Sequence, residues 1–272
     1  MKILIPRAYT SVHEQLALRY LREGRVALGF TEWKETLAGF DILHNALVIR
    51  DDETSRFRTI YEQMVDRSFA NNYLEALLQL QHVAQEQDRL RAHFARQILQ
   101  HLRDVGLHDP TIHGVNLLVA YCLYFWESFA MGYAFEVEIT RDLRAAGIQF
   151  RAHDLRDRQA RLSPYDLEIL GLYGDIKNTL YFLQAGRSQQ LRHDFYITRF
   201  YEGQRRYTLI VMVQLAAWQE IDGDTIAGLL QQATRHFPQP VQVELASGSI
   251  VVADYAIWKE KVLRRQQNDA LA

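Results

Sequence analysis

The amino-acid sequence predicts an α/β (α+β) protein in two parts, a helical N-terminal region over residues 1–112 and a mixed domain over residues 113–272. Three observations lead to this fold class. No proline occurs between Pro6 and Pro110, and good helix formers are abundant there. Beyond Gly147, segments with apolar residues at alternate positions are interspersed with helical segments. The composition, 48% hydrophobic and 24% charged, is that of an ordinary globular protein.

The helical pattern of the first part is strongest between Leu74 and Leu102, where apolar residues recur mainly at three- and four-residue steps. The acidic segment 51–54 is predicted to begin a helix, because acidic side chains are favoured at the positive end of the helix dipole. Gly106 and Pro110 are typical of the end of a helix.

The segment Val115–Phe135 is long and apolar enough to span a membrane. It is rich in aromatic residues throughout and carries Glu127 near its middle, so burial in a protein core is the favoured interpretation. The first residues contain no apolar core of a signal peptide, and the chain has one cysteine, Cys122. We therefore expect a cytoplasmic protein with no membrane partner.

The second part contains an ordered series of helices and strands. A helix is predicted over residues 133–146, with its end at Gly147. Strands are predicted at 148–152, 166–170, 172–177, 195–201, 207–215, 241–245 and 250–253, and further helices at 178–188, 224–237 and 255–265. Segments 202–204 and 247–248 contain glycine and are typical of hairpin turns.

Glu136 is the first candidate functional residue. It precedes Ile139 and Leu143 by three and seven positions, so it is expected on the helix face that packs on the sheet. Glu138 is expected to point towards solvent. A carboxylate on a buried face is costly unless a positive group meets it, so Glu136 needs a cationic partner.

Two further acids and a lysine lie on the predicted strands that follow. Alternation puts Asp175 and Lys177 on one face of their strand and Ile176 on the other. Asp166 begins the preceding strand, and pairing of the two strands would bring these side chains together. Divalent cations such as Mg²⁺ prefer oxygen ligands, and a nearby lysine can orient an attacking water. The pattern favours metal-assisted hydrolysis of a phosphodiester.

Pro164-x-Asp166 followed by Asp175-x-Lys177 resembles the signature of the PD-(D/E)xK, or restriction-endonuclease-like, nucleases. The resemblance covers roughly residues 134–215, and it implies a core of one helix, three strands, a helix and a strand. It implies Mg²⁺ or Mn²⁺ as cofactor, held by Asp166, Asp175, the Ile176 carbonyl and the helix glutamate, here Glu136. Lys177 would be the catalytic lysine. Tyr165 separates the proline from the aspartate, and Asp175 stands where glutamate is commoner.

The local charge favours a nucleic-acid partner. Residues 140–206 contain 12 Lys or Arg and 8 Asp or Glu, a net charge of +4. Arg199 and Arg187 can make bidentate phosphate contacts, and Gln184 lies on the same predicted helix as Arg187. These three residues are the candidate substrate-binding set, although arginines on strands and loops are also common as solvated residues.

The sequence thus predicts a metal-dependent nuclease, acting on DNA more readily than RNA and forming a homodimer if it cuts duplex. Two other interpretations stay open. A protein of the same fold without activity would bind or regulate nucleic acid with no metal dependence. A helical interaction protein with an accidental Asp-x-Lys would place Glu136 more than ~10 Å from Asp175, too far to share a cation.

Overall fold

The structure, a computed structural model, describes residues 1–51, 53–80, 83–153, 165–178, 193–202, 205–215, 232–233, 235–237, 239–245 and 248–271. These residues form a mixed α/β protein with seven α-helices and two sheets, of three and seven strands. The predicted α/β (α+β) class is confirmed at this level. The chain divides into two compact units, Met1–Ala130 and Met131–Ala272, and the boundary lies inside one long helix.

The first unit is mostly helical. Its elements are β1 (Lys2–Leu4), α1 (Ser11–Glu23), α2 (Phe30–Leu43), β2 (Leu47–Arg50), β3 (Glu53–Arg56), α3 (Phe57–Met64), α4 (Arg67–Gln79), α5 (Val83–Asp104) and the first half of α6 (Val115–Ala145). The side chains of Thr10 and Asp66 cap α1 and α4 by accepting hydrogen bonds from backbone N–H groups of the first turn.

A three-stranded antiparallel sheet in this unit was not expected from the sequence. The prediction that residues 51–54 begin a helix is wrong, because Glu53–Arg56 pairs with Leu47–Arg50 as a hairpin. Asp51 turns the chain with a positive φ of 49°, a conformation that aspartate tolerates. The next helix begins only at Phe57.

Helix α6 contains the apolar segment that, from sequence alone, could be either a membrane span or a core helix. Among the described residues it is the one helix long and apolar enough to cross a membrane by length and composition. Half of its most apolar window is buried inside the protein. Tyr121 and Trp126 are almost fully buried and contact other aromatic rings of the first unit, Phe57 and Tyr73 among them. This is the behaviour of a core helix.

The second unit combines the remaining half of α6 with a large sheet and a C-terminal helix. Its elements are β4 (Arg151–Ala152), β5 (Leu167–Ile169), β6 (Leu172–Lys177), β7 (Phe195–Glu202), β8 (Arg205–Leu215), β9 (Val241–Leu245), β10 (Gly248–Asp254) and α7 (Tyr255–Asp269). The predicted strands are confirmed, except that β4 is shorter than residues 148–152. Ile148 N–H closes the end of α6 on Leu143, and Gln149 N–H donates to the Gln266 side chain, so neither enters the sheet.

The strand order of the large sheet is β4-β5-β6-β7-β8-β10-β9. All neighbours are antiparallel except β6 and β7, which are parallel. Parallel strands need a crossover connection of a dozen or more residues. The residues that connect β6 to β7 include 179–192, so the helix predicted at 178–188 lies outside the described residues apart from its first position. Most of the helix predicted at 224–237 also lies outside them.

The sheet of the second unit has a buried cluster on each face. One cluster joins the sheet to α6 and α7 and contains Phe135, Ile139, Leu143, Leu167, Ile176, Phe195, Ile197, Ile210, Tyr255 and Val262. The other contains Tyr196, Phe200, Leu209, Val211, Val243, Ile250 and Val252. Gly174 permits close packing on the first face, since a Cβ atom there would lie 2.1 Å from the Phe195 ring. The Phe195 ring of β7 therefore packs directly over Gly174 of β6.

Candidate active site

Asp166 and Asp175 face each other across neighbouring strands. The register pairs Leu167 with Gly174, and continuing it by one residue sets Asp166 opposite Asp175. The Asp166 N–H donates to the Gly174 carbonyl at 3.0 Å, and its Oδ2 accepts from the Ile176 N–H at 2.8 Å. The side chains of the two aspartates also share a hydrogen bond. The pairing of β5 with β6 therefore fixes the position of both carboxyl groups.

The side chains of β6 alternate between its two faces, so the candidate site residues lie on one face and the core residue on the other, as the sequence predicts. Ile176 lies in the core cluster with α6, whereas Asp175 and Lys177 point to the other side of the strand. The Lys177 Nζ lies 2.8 Å from the Asp175 Oδ2. Asp175 is only 7% exposed, and the Lys177 side chain is 41% exposed. The pair thus consists of a buried acid and a lysine that still reaches solvent.

Glu136 is close enough to this pair for its ionisation to respond to both charges. Burial, followed by repulsion from Asp175, raises the pKa of Glu136 to about 7, and Lys177 acts in the opposite direction. The pKa of Asp166 lies well above its usual range, because burial, the shared hydrogen bond with Asp175 and the charges of Asp175 and Glu136 all favour its neutral form. The structure therefore brings Glu136, Asp166, Asp175 and Lys177 together.

The donor chemistry of this acid cluster, defined as Glu136, Asp166 and Asp175, fits a hard divalent cation. All three side chains offer carboxylate oxygens, the ligands that Mg²⁺ and Mn²⁺ prefer. The raised pKa values of Glu136 and Asp166 are the expected response of neighbouring acids with one lysine to balance them. Within the described residues, no three His, Cys, Asp or Glu side chains already stand in a metal-ligating arrangement. The Ile176 carbonyl remains a predicted ligand.

His193 is a site residue that sequence reasoning missed. Its Nε2 lies 3.7 Å from the Asp175 Oδ2, and its side chain is 14% exposed. It precedes β7, which pairs with β6 in parallel, with Asp175 opposite Tyr196. The ring of His193 also contacts Tyr196, with centroids 5.3 Å apart. Only the parallel register of β6 and β7 could have indicated this histidine.

Arg199 does not occupy the position expected of a phosphate ligand. It is 6% exposed, its guanidinium bonds Glu138 and donates to the Asn178 Oδ1 at 3.0 Å, and it lies 4.3 Å over the Phe135 ring. The prediction that Glu138 points to solvent is wrong, because β7 carries Arg199 beside it. The Arg199 guanidinium is thus buried, and its carboxylate partner Glu138 is half-buried.

The other two predicted substrate-binding residues, Gln184 and Arg187, lie outside the described residues. The proline of the motif, Pro164, also lies outside them, so the structure describes the motif from Tyr165 onwards. Asp166, Asp175 and Lys177 are thus its described functional positions.

The chain was compared with known proteins in three ways. No family model, curated protein or solved structure gave a significant match to it.

Proposed function

We propose that the protein is a metal-dependent nuclease that hydrolyses phosphodiester bonds of nucleic acid, DNA in preference to RNA. The observation that carries this proposal is the acid cluster beside Lys177. Carboxyl groups from α6, from the residue before β5 and from β6 lie around one lysine, and burial together with the neighbouring acids raises the pKa values of Glu136 and Asp166. Acids whose pKa values are raised by burial and by specific charged neighbours are enriched at functional sites.

The order of elements supports a relation to the PD-(D/E)xK nucleases. Helix α6, strands β4, β5 and β6, a connecting segment and strand β7 follow one another as helix, three strands and strand. The parallel pairing of β6 with β7 requires a crossover where that family has its second helix. We propose that residues 134–215 form a core of this type.

In the proposed mechanism each residue of the site has a separate role. Glu136, Asp166 and Asp175 would hold Mg²⁺ or Mn²⁺, with the Ile176 carbonyl as a further ligand. When bound, the cation would offset the negative charge of the phosphodiester and of the acids. Lys177, held by Asp175 and partly open to solvent, would orient the attacking water and stabilise charge that develops on the phosphoryl oxygens.

The proposed enzyme would act as a homodimer in the cytoplasm. A homodimer would offer two such sites to the two strands of a duplex. A cytoplasmic location fits a chain with a single cysteine, Cys122, which is buried.

The decisive experiment measures cleavage of plasmid DNA, single-stranded DNA and RNA in Mg²⁺, Mn²⁺ or EDTA. We expect cleavage that requires the cation and falls by about 100-fold or more in Lys177→Ala, as for other removed transition-state donors. Lys261→Ala, which removes an exposed lysine of α7, is the matched control and should retain wild-type rates.

Two results would count against the nuclease. Cleavage that persists in Lys177→Ala at the control rate would point to a contaminating enzyme. Binding of nucleic acid without any metal-dependent cleavage would instead favour the alternative, an inactive protein of the same fold that binds or regulates nucleic acid.

A further inference from the structure

The turn of the β5–β6 hairpin exposes apolar and aromatic side chains. Leu170 and Tyr173 are each 45% exposed, and Leu172 is 37% exposed. They are among the few large hydrophobic side chains that the described part of the chain leaves in solvent. The hairpin is also the one that supplies Asp166 and Asp175, and of these three side chains Tyr173 is the one on the strand face of Asp175.

Tyr173 is on the same side of β6 as the acid and the lysine of the site. Residues 173, 175 and 177 alternate with the core residues Gly174 and Ile176, so their side chains project together at steps of about 7 Å. Its ring contacts Tyr165, with centroids 4.6 Å apart, and the Tyr165 ring lies 5.2 Å from the His153 ring. The three rings of His153, Tyr165 and Tyr173 form one group, the aromatic surface.

We propose that the aromatic surface stacks on an unpaired nucleobase next to the phosphate that is cut. This inference rests on the proposed nuclease function and narrows its substrate to nucleic acid with single-stranded nucleotides at the cleavage position. The faces of bases inside a duplex are covered by their neighbours, so away from the duplex ends an exposed protein ring can stack only on a base that has left the helix. Stacking on rings is the usual way in which proteins hold single strands without reading their sequence.

The position of the aromatic surface explains why an unpaired base is favoured over another occupant. Tyr173 is one side-chain step from Asp175 along the strand, so a phosphate at the acid cluster brings an adjacent base to the ring. Leu170, in the turn of this hairpin, has a positive φ of 54°, which is costly for leucine. A strained and exposed apolar turn beside a reactive site is more typical of ligand contact than of folding.

The test measures binding separately from cleavage. Variants are made in a Lys177→Ala background, so that no substrate is cut, and fluorescence anisotropy is recorded with a labelled single DNA strand of roughly 20 nucleotides and with its blunt duplex. We expect Tyr173→Ala to weaken binding of the single strand by about 5- to 100-fold and to change duplex binding by no more than about twofold.

Two matched variants separate stacking from general disruption. Tyr173→Phe keeps the ring and should bind the single strand within about twofold of the parent. Leu172→Ala removes exposed apolar area from the opposite side of the same strand and should also have little effect. With both controls intact, a loss confined to Tyr173→Ala assigns the effect to the ring.

Other outcomes would overturn the inference. Equal losses for single strand and duplex, a loss in Tyr173→Phe as large as in Tyr173→Ala, or no loss at all would each do so. A change from dimer to monomer in Tyr173→Ala would assign the surface to a second copy of the chain. A protein that binds the single strand through Tyr173 but cuts nothing would overturn the nuclease while keeping the base contact.

Discussion

Asp175 contacts more of the candidate site than any other side chain described in it. Its carboxyl group meets Asp166, the Lys177 ammonium group and the His193 ring, and its charge also acts on Glu136. Since it is buried, its lone pairs cannot be satisfied by bulk water and depend on these neighbours. A bound cation would therefore change these three contacts and the charge that acts on Glu136 through this one residue.

The raised pKa values predict how stability depends on pH in the metal-free protein. A folded-state pKa above the unfolded value gives stability that is complete below the unfolded pKa and is lost as pH rises through the folded pKa. For Glu136 the loss should occur between about pH 4.5 and its folded pKa of about 7, and Asp166 extends it to higher pH. Thermal unfolding measured in EDTA should therefore show a midpoint temperature that falls as the pH rises across this range.

A variant isolates the contribution of the helix glutamate to this pH dependence. Glu136→Gln has no carboxyl group to ionise, so its midpoint should fall less between pH 5 and pH 7 than that of the wild type. Saturating Mg²⁺ should restore stability mainly at the alkaline end, because bound metal requires deprotonated ligands. A wild-type midpoint that falls no more steeply than that of Glu136→Gln would contradict the assignment.

Arg199 has a structural role that is separable from phosphate binding. Replacing it with methionine would leave Glu138 half-buried without its partner and remove the bond to Asn178, which directly follows Lys177. We expect Arg199→Met to lower the free energy of unfolding by about 2 kcal/mol, measured by urea denaturation. The salt dependence of nucleic-acid binding should keep its slope, because no phosphate contact is lost.

The neighbouring arginine Arg206 provides the comparison for this prediction. It is exposed on β8, so Arg206→Met should hardly change the free energy of unfolding. Combining Arg199→Met with Glu138→Gln should recover part of the loss, since the half-buried Glu138 side chain then carries no unpaired charge. A salt slope reduced by about one in Arg199→Met alone would show that the guanidinium does reach phosphate.

At the scale of elements, the β5–β6 hairpin is a two-residue turn with positive φ at both loop positions, 54° at Leu170 and 76° at Gly171. This is the signature of a type I′ turn, for which Asn-Gly is the preferred sequence. Leu170→Asn should therefore raise the free energy of unfolding by about 1 kcal/mol, as judged by thermal or urea denaturation.

A substitution at the adjacent Gly171 should change the free energy of unfolding in the opposite direction. Gly171→Ala puts a Cβ on a residue with φ of 76° and should destabilise the protein by about 1 kcal/mol. If both substitutions lowered stability, the leucine would be needed for packing, and the turn would not be the strained feature inferred from its φ angles.

At the scale of the whole molecule, every described residue of the candidate site belongs to the second unit, Met131–Ala272. The first unit contributes a separate aromatic core and an antiparallel sheet. The net charge of +4 over residues 140–206 also lies in the second unit, although the chain as a whole carries −2. The proposed function therefore predicts that nucleic acid binds at residues 140–206 and not at the first unit.

Local sequence patterns were sufficient for most of the described elements of the second unit. Alternation located β5 and β6, and the helical phase put Glu136 near them. These patterns depend only on residues close together in the chain, so they can be read without knowledge of the rest of the fold. Residues 47–56 show the limit of the approach, since the acids that suggested a helix start instead follow a turn between two strands. Pairing with β2 outweighed the local helix preference.

The sequence by itself determined the mixed fold class and the residues able to carry chemistry, because side-chain type and spacing along one element are local properties. Only the tertiary structure decided their environment. It set Asp166 against Asp175 through strand register, brought His193 in by a parallel pairing, and placed Arg199 against Glu138. Contacts between residues distant in the chain depend on register and packing, and a period of two or 3.6 residues cannot encode them.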